Sequence, residues 1–159
     1  MGVEIERKFL VGDRSVVDGI AGIRICQGYL SLDPERTIRV RLAGTRAFLT
    51  IKGISSARGT TRAEYEYEIP VNEAEELLDA MALGPLIEKT RYRRTVGRLV
   101  WEVDVFEGEN QGLVVAEVEL PSEGAAVILP DWVGEEVTGD PRYFNASLVM
   151  HPFRDWRQD

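Results

Sequence analysis

The chain is short of the residues on which most metal and redox chemistry depends. Among 159 residues there is one cysteine, Cys26, and one histidine, His151. A single cysteine excludes an internal disulfide and any CxxC site, and it is compatible with a reducing compartment. A single histidine, next to Pro152, excludes a multi-histidine zinc centre and argues against a histidine base or a phosphohistidine. Positive charge is also scarce: 19 Lys and Arg stand against 27 Asp and Glu, for a formal net charge of -8. Most of the surface must therefore repel a phosphate backbone, which argues against a nucleic-acid partner and requires any polyanion site to be local. No apolar run approaches the roughly 20 residues of a membrane span, and the charges recurring through 1–11 leave no signal-peptide core. The expectation is a cytoplasmic protein with no membrane partner. There is neither a GxxxxGK[ST] loop nor a GxSxG elbow, so a P-loop NTPase and an α/β-hydrolase lack their defining turns.

What the chain does have is a period of two. Stretches with strand character run over Val3 to Leu10, Ile23 to Leu32, Arg36 to Leu42, Ala47 to Lys52, Thr61 to Pro70, Ile87 to Val96, Leu99 to Phe106 and Leu113 to Leu120. Gly, Pro or Asp turn signals separate most of them. Eight short strands predict a β-sandwich or barrel, and the length suits one domain over 1–159. One helix is expected from Glu73 to Leu83, with Asn72 and Glu75 as a capping box and Gly84-Pro85 as its stop. A helical turn is expected at Asp13 to Asp18, a short strand at Glu135 to Thr138 and a helical tail from Asn145.

The charges follow the same alternation. Residues i and i+2 of a strand share a face. Glu4, Glu6 and Lys8 thus lie together, opposite Val3, Ile5 and Phe9, with Arg7 breaking the apolar side. Arg39 and Arg41 lie opposite Ile38, Val40 and Leu42; Thr50 and Lys52 oppose Leu49 and Ile51; Glu64, Glu66 and Glu68 oppose Tyr65, Tyr67 and Ile69. Lys89, Arg91 and Arg93 form a basic row, while Glu102 with Asp104 and Glu117 with Glu119 form acidic ones. A sheet with one wet face also alternates, but a solvated face usually mixes signs along each strand. Here basic and acidic strands are largely separate. Two carboxylates about 6 Å apart repel by roughly 3 kcal/mol at an effective dielectric near 20. If the strands close into a barrel with their charges inward, acidic rows can hold divalent cations and basic rows a multiply charged anion. The outward apolar faces would then need cover from helices, the C-terminal tail or a second copy, which leaves a homodimer open. Carboxylate donors without soft ligands point to Mg2+ or Mn2+.

The motif Glu4-Ile5-Glu6-Arg7-Lys8-Phe9-Leu10-Val11 resembles the N-terminal ExExK signature of the CYTH superfamily, the triphosphate tunnel metalloenzymes. Gln27-Gly28-Tyr29-Leu30, Arg39-Val40-Arg41, Leu49-Thr50-Ile51-Lys52, Glu64 to Pro70, Lys89-Thr90-Arg91 and Glu117-Val118-Glu119-Leu120 are similar to the family's later strands in the same order, and Gly134 to Tyr143 to the segment that follows. The resemblance, closest to short bacterial members, spans nearly the whole chain. It implies a mainly β, α+β fold: a closed or nearly closed antiparallel barrel of about eight strands, with a few helices outside. It further implies a small-molecule triphosphate substrate and a divalent metal. Glu4, Glu6, Glu117 and Glu119 are then the expected metal ligands, with Asp104 and Glu66 contributing directly or through water. Lys8, Arg39, Arg41, Lys52, Lys89 and Arg91 would hold phosphate oxygens, with Tyr29 near the opening, and Glu4, Glu6 and Lys8 would form the catalytic group.

The activity expected from this set is hydrolysis of a linear triphosphate, foremost inorganic tripolyphosphate to pyrophosphate and phosphate. No base-reading motif is left over for an organic moiety, although Tyr65, Tyr67, Tyr92, Trp101 and Trp132 could build such a pocket. A thiamine triphosphatase, a nucleoside triphosphatase and a class IV adenylate cyclase are the alternatives within the family. A noncatalytic polyphosphate- or nucleotide-binding module is the alternative outside catalysis. A structural β-protein with a solvated charged face, the third alternative, would bind neither Mn2+ nor triphosphate.

Overall fold

The computed structural model describes residues 2–156. Its eight strands are β1 (Val3–Leu10), β2 (Ile23–Ser31), β3 (Arg36–Ala43), β4 (Arg46–Gly53), β5 (Thr61–Ile69), β6 (Ile87–Val96), β7 (Leu99–Phe106) and β8 (Val114–Glu119). They form a closed antiparallel barrel in the order β1-β5-β4-β3-β2-β6-β7-β8. Closure turns charged side chains of β1 and β3 to β8 toward one interior, to which β2 adds Ile23, Ile25 and Tyr29. β1 and β8 therefore lie across the barrel from β2 and β3.

The apolar core lies outside the barrel wall rather than within it. Phe9, Trp101, Val103 and Val118 pack against Trp132 over β1, β7 and β8, with ring centroids of 5.6 Å for both Phe9–Trp101 and Trp101–Trp132. Each such large side chain removed from water contributes about 1.5–3 kcal/mol. A second cluster joins Tyr29, Ile87, Phe106 and Leu113 to the C-terminal segment through Leu148 and Val149. A third sets Ala74 and Leu78 of α1 (Val71–Met81) on Val40 and Ala47. Helix α1 comes this close to β2 because residue 28 is glycine: a Cβ there would stand 2.8–3.0 Å from Leu86, Leu78 and Ala82. On the outer faces of β1 and β5, Val3, Tyr65 and Tyr67 stay exposed.

Helix α1 begins two residues before the sequence-based expectation, and the Asn72–Glu75 capping box does not form. Pro70 is the N-cap and makes no side-chain cap. Its carbonyl accepts from the Glu73 and Ala74 amides at 3.1 Å each. Proline supplies no donor to continue β5 and already holds the backbone angle of a helix entry, so the chain turns there. A 3-10 turn covers Arg14–Val17, capped by Asp13. The expected strand at 135–138 is a single bridge, Phe9 to Glu136. Helix α2 runs from Asn145 to Met150. Met1 and residues 157–159, which the single-domain and tail expectations included, lie outside the described residues. No helix among those described is long and apolar enough to cross a membrane.

Candidate active site

Inside the barrel is a cavity of about 780 Å³, within the range of small-molecule sites. Its lining includes Glu4, Glu6, Lys8, Tyr29, Arg39, Arg41, Lys52, Lys89, Arg91, Glu117 and Glu119. Of the site residues expected from the sequence, Asp104 alone is missing from that lining. Arg62, Gln27 and Asn145 are not among the expected site residues; Glu64, Glu102 and Arg93 are placed by the sequence in charged rows without a role in the site, and Glu66, expected to contribute to a metal site directly or through water, does line the cavity. In all, seven carboxylates and eight cations face the space, so the wall is formally almost neutral.

Strand register decides which charges meet. Lys8 pairs with Glu117, Lys52 with Glu64, Arg91 with Asp104 and Arg93 with Glu102. Among the described pairs, two set acid against acid, Glu6 opposite Glu119 and Glu102 opposite Glu117, and both involve β8. Like charges directly opposite one another are destabilising, and the carboxyls respond. Burial, reinforced by Glu117 and Glu4, pushes Glu6 well above the usual carboxylate range. Burial pushes Glu117 the same way, but Lys8 and Arg91 outweigh it and hold that carboxylate ionised. Glu64 rises to about 7 through burial and its hydrogen bond with Glu4. Two of the acids thus tend to keep a proton that a cation would displace.

The acidic side is laced by lysines. The Lys52 ammonium donates to both oxygens of Glu4, at 2.9 and 3.1 Å, and lies 3.4 Å from Glu64. Lys8 stands 3.7 Å from Glu117, donates to the Tyr143 carbonyl at 3.1 Å, and has its backbone amide tied to Thr138 Oγ1 at 2.9 Å. That tie belongs to a longer seam: residues 134–138 run along the end of β1, with Leu10 donating to the Glu135 carbonyl and Val137 to that of Lys8, both at 2.8 Å. The donor set, carboxylates and little else, suits a hard divalent cation. Among the described residues, however, no three acidic, histidine or cysteine side chains are gathered closely enough to hold one.

The basic side is braced differently. Asp104 is 1% exposed and spends both oxygens on cations: Arg91 Nε and Nη2 at 2.7 and 2.9 Å, and Lys89 Nζ at 2.8 Å. This corrects the expectation that it is a metal ligand: Asp104 is absent from the cavity lining, and both of its oxygens already accept from cations. Arg91 and Lys89 hold Asp104 ionised against its burial. Lys89 is pulled down to about 7 by burial, with Arg91 and Arg41 working against Asp104. Arg39 donates to Thr50 at 3.2 Å and lies 3.6 Å from Glu66, while its Nε is buried without a partner among the described residues. Such a donor costs about 1–3 kcal/mol until something accepts from it. Arg93, mostly exposed, stands at the mouth.

Tyr29 lines the cavity but is 4% exposed, a wall residue more than an entrance one. The aromatics considered for an organic pocket lie elsewhere: Trp101 and Trp132 are packed outside the barrel, Tyr65 and Tyr67 are exposed on its outer face, and Tyr92 packs with the outer cluster. Phe48 and Phe144 do line the space. His151 is exposed near the Trp156 ring, and Cys26 is half-buried on the outer face of β2, so neither belongs to the site.

A barrel with acid-lined and base-lined walls has counterparts among known proteins. The chain is 48% identical over 158 residues to an inorganic triphosphatase of Acetivibrio thermocellus, covering 99% of this chain and 100% of that one. It is 43% identical over 153 residues to an inorganic triphosphatase of Nitrosomonas europaea, covering 92% and 97% of the two. A crystal structure of an inorganic triphosphatase, 40% identical, superposes with a TM-score of 0.66 over 94% of this chain and 96% of that one. A putative adenylyl cyclase from Hippeastrum, described as having dominant triphosphatase activity, shares the fold at 15% identity, with a TM-score of 0.59 over 75% and 80% of the two chains. The CYTH domain model matches residues 2–150; with the eight-stranded charged barrel and two relatives above 40% identity, that match makes the chain a member of the CYTH domain family.

Proposed function

We propose that this protein is an inorganic triphosphatase, hydrolysing tripolyphosphate to pyrophosphate and phosphate with the help of Mg2+ or Mn2+. The observation that carries the reading is the enclosure of opposed charge in one cavity: Glu4, Glu6, Glu117 and Glu119 on β1 and β8, with Arg39, Arg41, Lys89 and Arg91 on β3 and β6. The nearly balanced wall gains positive charge when a divalent ion joins it. That suits tripolyphosphate, which carries roughly four to five negative charges near neutral pH. The two full-length relatives are themselves called inorganic triphosphatases.

Glu4, Glu6, Glu117 and Glu119 would hold the ion, with Glu66 as a further oxygen donor. Bound there, a divalent cation neutralises phosphate oxygens and lowers the pKa of water. The chain's own groups do the remainder. Arg39 and Arg41 offer planar donor forks to phosphate oxygens, and the unpartnered Arg39 Nε is a donor in waiting. Arg91 and Lys89, fixed by Asp104, stabilise charge on the leaving pyrophosphate. Lys8 and Lys52 stand between acids and anion and can exchange a carboxylate for a phosphate oxygen. Water attacks the terminal phosphorus, the bridging P–O bond breaks with its electron pair leaving on pyrophosphate, and Glu4 or Glu6 accepts the proton. The 15 charged residues in the lining favour the bare anion over a thiamine- or nucleoside-bearing one.

The test is phosphate release from tripolyphosphate, ATP and thiamine triphosphate with each metal in turn. The highest kcat/KM should fall on tripolyphosphate, with none of the activity surviving chelation. Cyclic AMP from ATP, or binding of all three substrates without release of orthophosphate, would refute the reading.

A further inference from the structure

Two neutral side chains connect the C-terminal helix to the phosphate-facing cations. Asn145 is the first residue of α2. Its Oδ1 accepts from Lys89 Nζ at 2.9 Å and from Gln27 Nε2 at 3.1 Å. Gln27 is 0% exposed, and its Oε1 accepts from Arg41 Nε at 2.8 Å. The amide orientations are fixed by chemistry: lysine and arginine only donate, so each must meet an amide oxygen, which leaves the Gln27 NH2 facing the remaining lone pair of Asn145. Leu148 and Val149, at 1% and 2% exposure, pin α2 to the cluster containing Ile87, two residues before Lys89.

We propose that Asn145 and Gln27 are positioning residues that together aim Lys89 and Arg41 into the tunnel without neutralising them. The two cations reach the same end by different routes. Asp104 and Asn145 take two of the three ammonium donors of Lys89, which lines the cavity while its side chain is buried. Gln27 takes the Nε of Arg41, leaving its terminal fork for two phosphate oxygens. An acid in place of either amide would hold the cation as firmly but cancel the charge the anion needs; an amide dipole holds it and leaves the charge in place. Two flexible side chains are thereby ordered before substrate arrives, which lowers the entropic cost of binding. Docking of α2 and the geometry of the basic wall become one event.

The inference rests on the triphosphate reading of the cavity, and the experiment separates the two. Tripolyphosphate affinity is measured by calorimetry with EDTA present, and kcat with saturating Mg2+, for wild type, N145A, N145D, K89A and the N145A/K89A double variant. N145A should bind five- to tenfold more weakly, with kcat falling by no more than that factor. N145D, which keeps the acceptor, should lose at least as much affinity as N145A while matching wild type in thermal stability, an outcome a purely structural asparagine does not give. In the K89A background N145A should cost less than half its wild-type effect, since distant, independent sites would add instead. N145A affinity within twofold of wild type, or an equal loss in both backgrounds, overturns the proposal. Wild type that binds tripolyphosphate but does not cleave it with saturating Mg2+ refutes the enzymatic reading, and the same titrations still decide the role of Asn145; wild type that neither binds it with EDTA nor cleaves it with Mg2+ overturns both.

Discussion

The acidic and basic walls of the tunnel are assembled from the same kind of strand, yet they are held in opposite ways. On the basic side every inward cation except Arg93 at the mouth is braced from behind: Arg91 and Lys89 by Asp104, Arg39 by Thr50, Arg41 by Gln27. On the acidic side register sets Glu6 against Glu119 and Glu102 against Glu117, and the strain is relieved by retained protons and by Lys52 and Lys8. One wall is ready for its ligand. The other is complete only with a cation.

The sharpest way to break this contrast is to remove a brace. D104N leaves buried Lys89 without a counterion and Arg91 with Glu102 alone, 3.4 Å away, and breaking a buried pair from one side costs about 3–5 kcal/mol. Urea unfolding should show a loss of that size, with tripolyphosphate affinity falling as well. Removing an acid should act on turnover: E6Q or E117Q is expected to lower kcat about 10²- to 10³-fold, and a Mg2+ and Mn2+ titration should show a raised metal requirement; the melting temperature should hold or rise for E6Q, whose carboxyl is strained, and fall for E117Q, whose carboxylate Lys8 and Arg91 hold ionised. R39A, which takes away a fork but no metal donor, should raise KM about tenfold with a smaller change in kcat.

The proton inventory offers a milder probe. Glu64 titrates near 7 and Glu6 also lies above the normal range, so both carry protons at low pH that an incoming cation must displace. Metal affinity should therefore rise with pH through about 7, proton release on binding should be measurable by calorimetry in buffers of different ionisation enthalpy, and E64Q should flatten that rise. The smallest effect belongs to the exterior. Arg46 and Glu68 form a two-pronged pair at 2.7 and 3.0 Å, but both are more than half exposed. R46A should change stability by no more than about 0.5 kcal/mol and leave kcat/KM unaltered.

Much of the molecule was legible without coordinates, and the reason is the period of two. Where inward and outward positions differ in chemistry at every step, strand limits and faces follow from the letters, which is why Val3–Leu10, Ile87–Val96 and Leu99–Phe106 match the expected bounds. The entry of α1 was misplaced because Pro70 outcompetes Asn72 as a helix start, a contest that depends on how β5 ends. Asp104 was misread for a related reason. It alternates with Glu102 and shares its face, but it lies opposite Arg91 and beside Lys89, and only the neighbouring strand can reveal that. Gln27 stood in a motif similar to a family strand and Asn145 at the start of a helical tail, but nothing linked the two across 118 residues: a glutamine and an asparagine are ordinary letters until folding sets one against the other.

By itself, then, the sequence determined that charges would line one surface of a β-fold in rows of like sign, because strand geometry sends alternate residues the same way whatever the strand pairs with. Which rows became neighbours, which acids were left facing acids, and which cations received a neutral partner or a charged one were decided by register and closure. Those are long-range choices, made by the apolar packing outside the barrel, and no local pattern of residues encodes them.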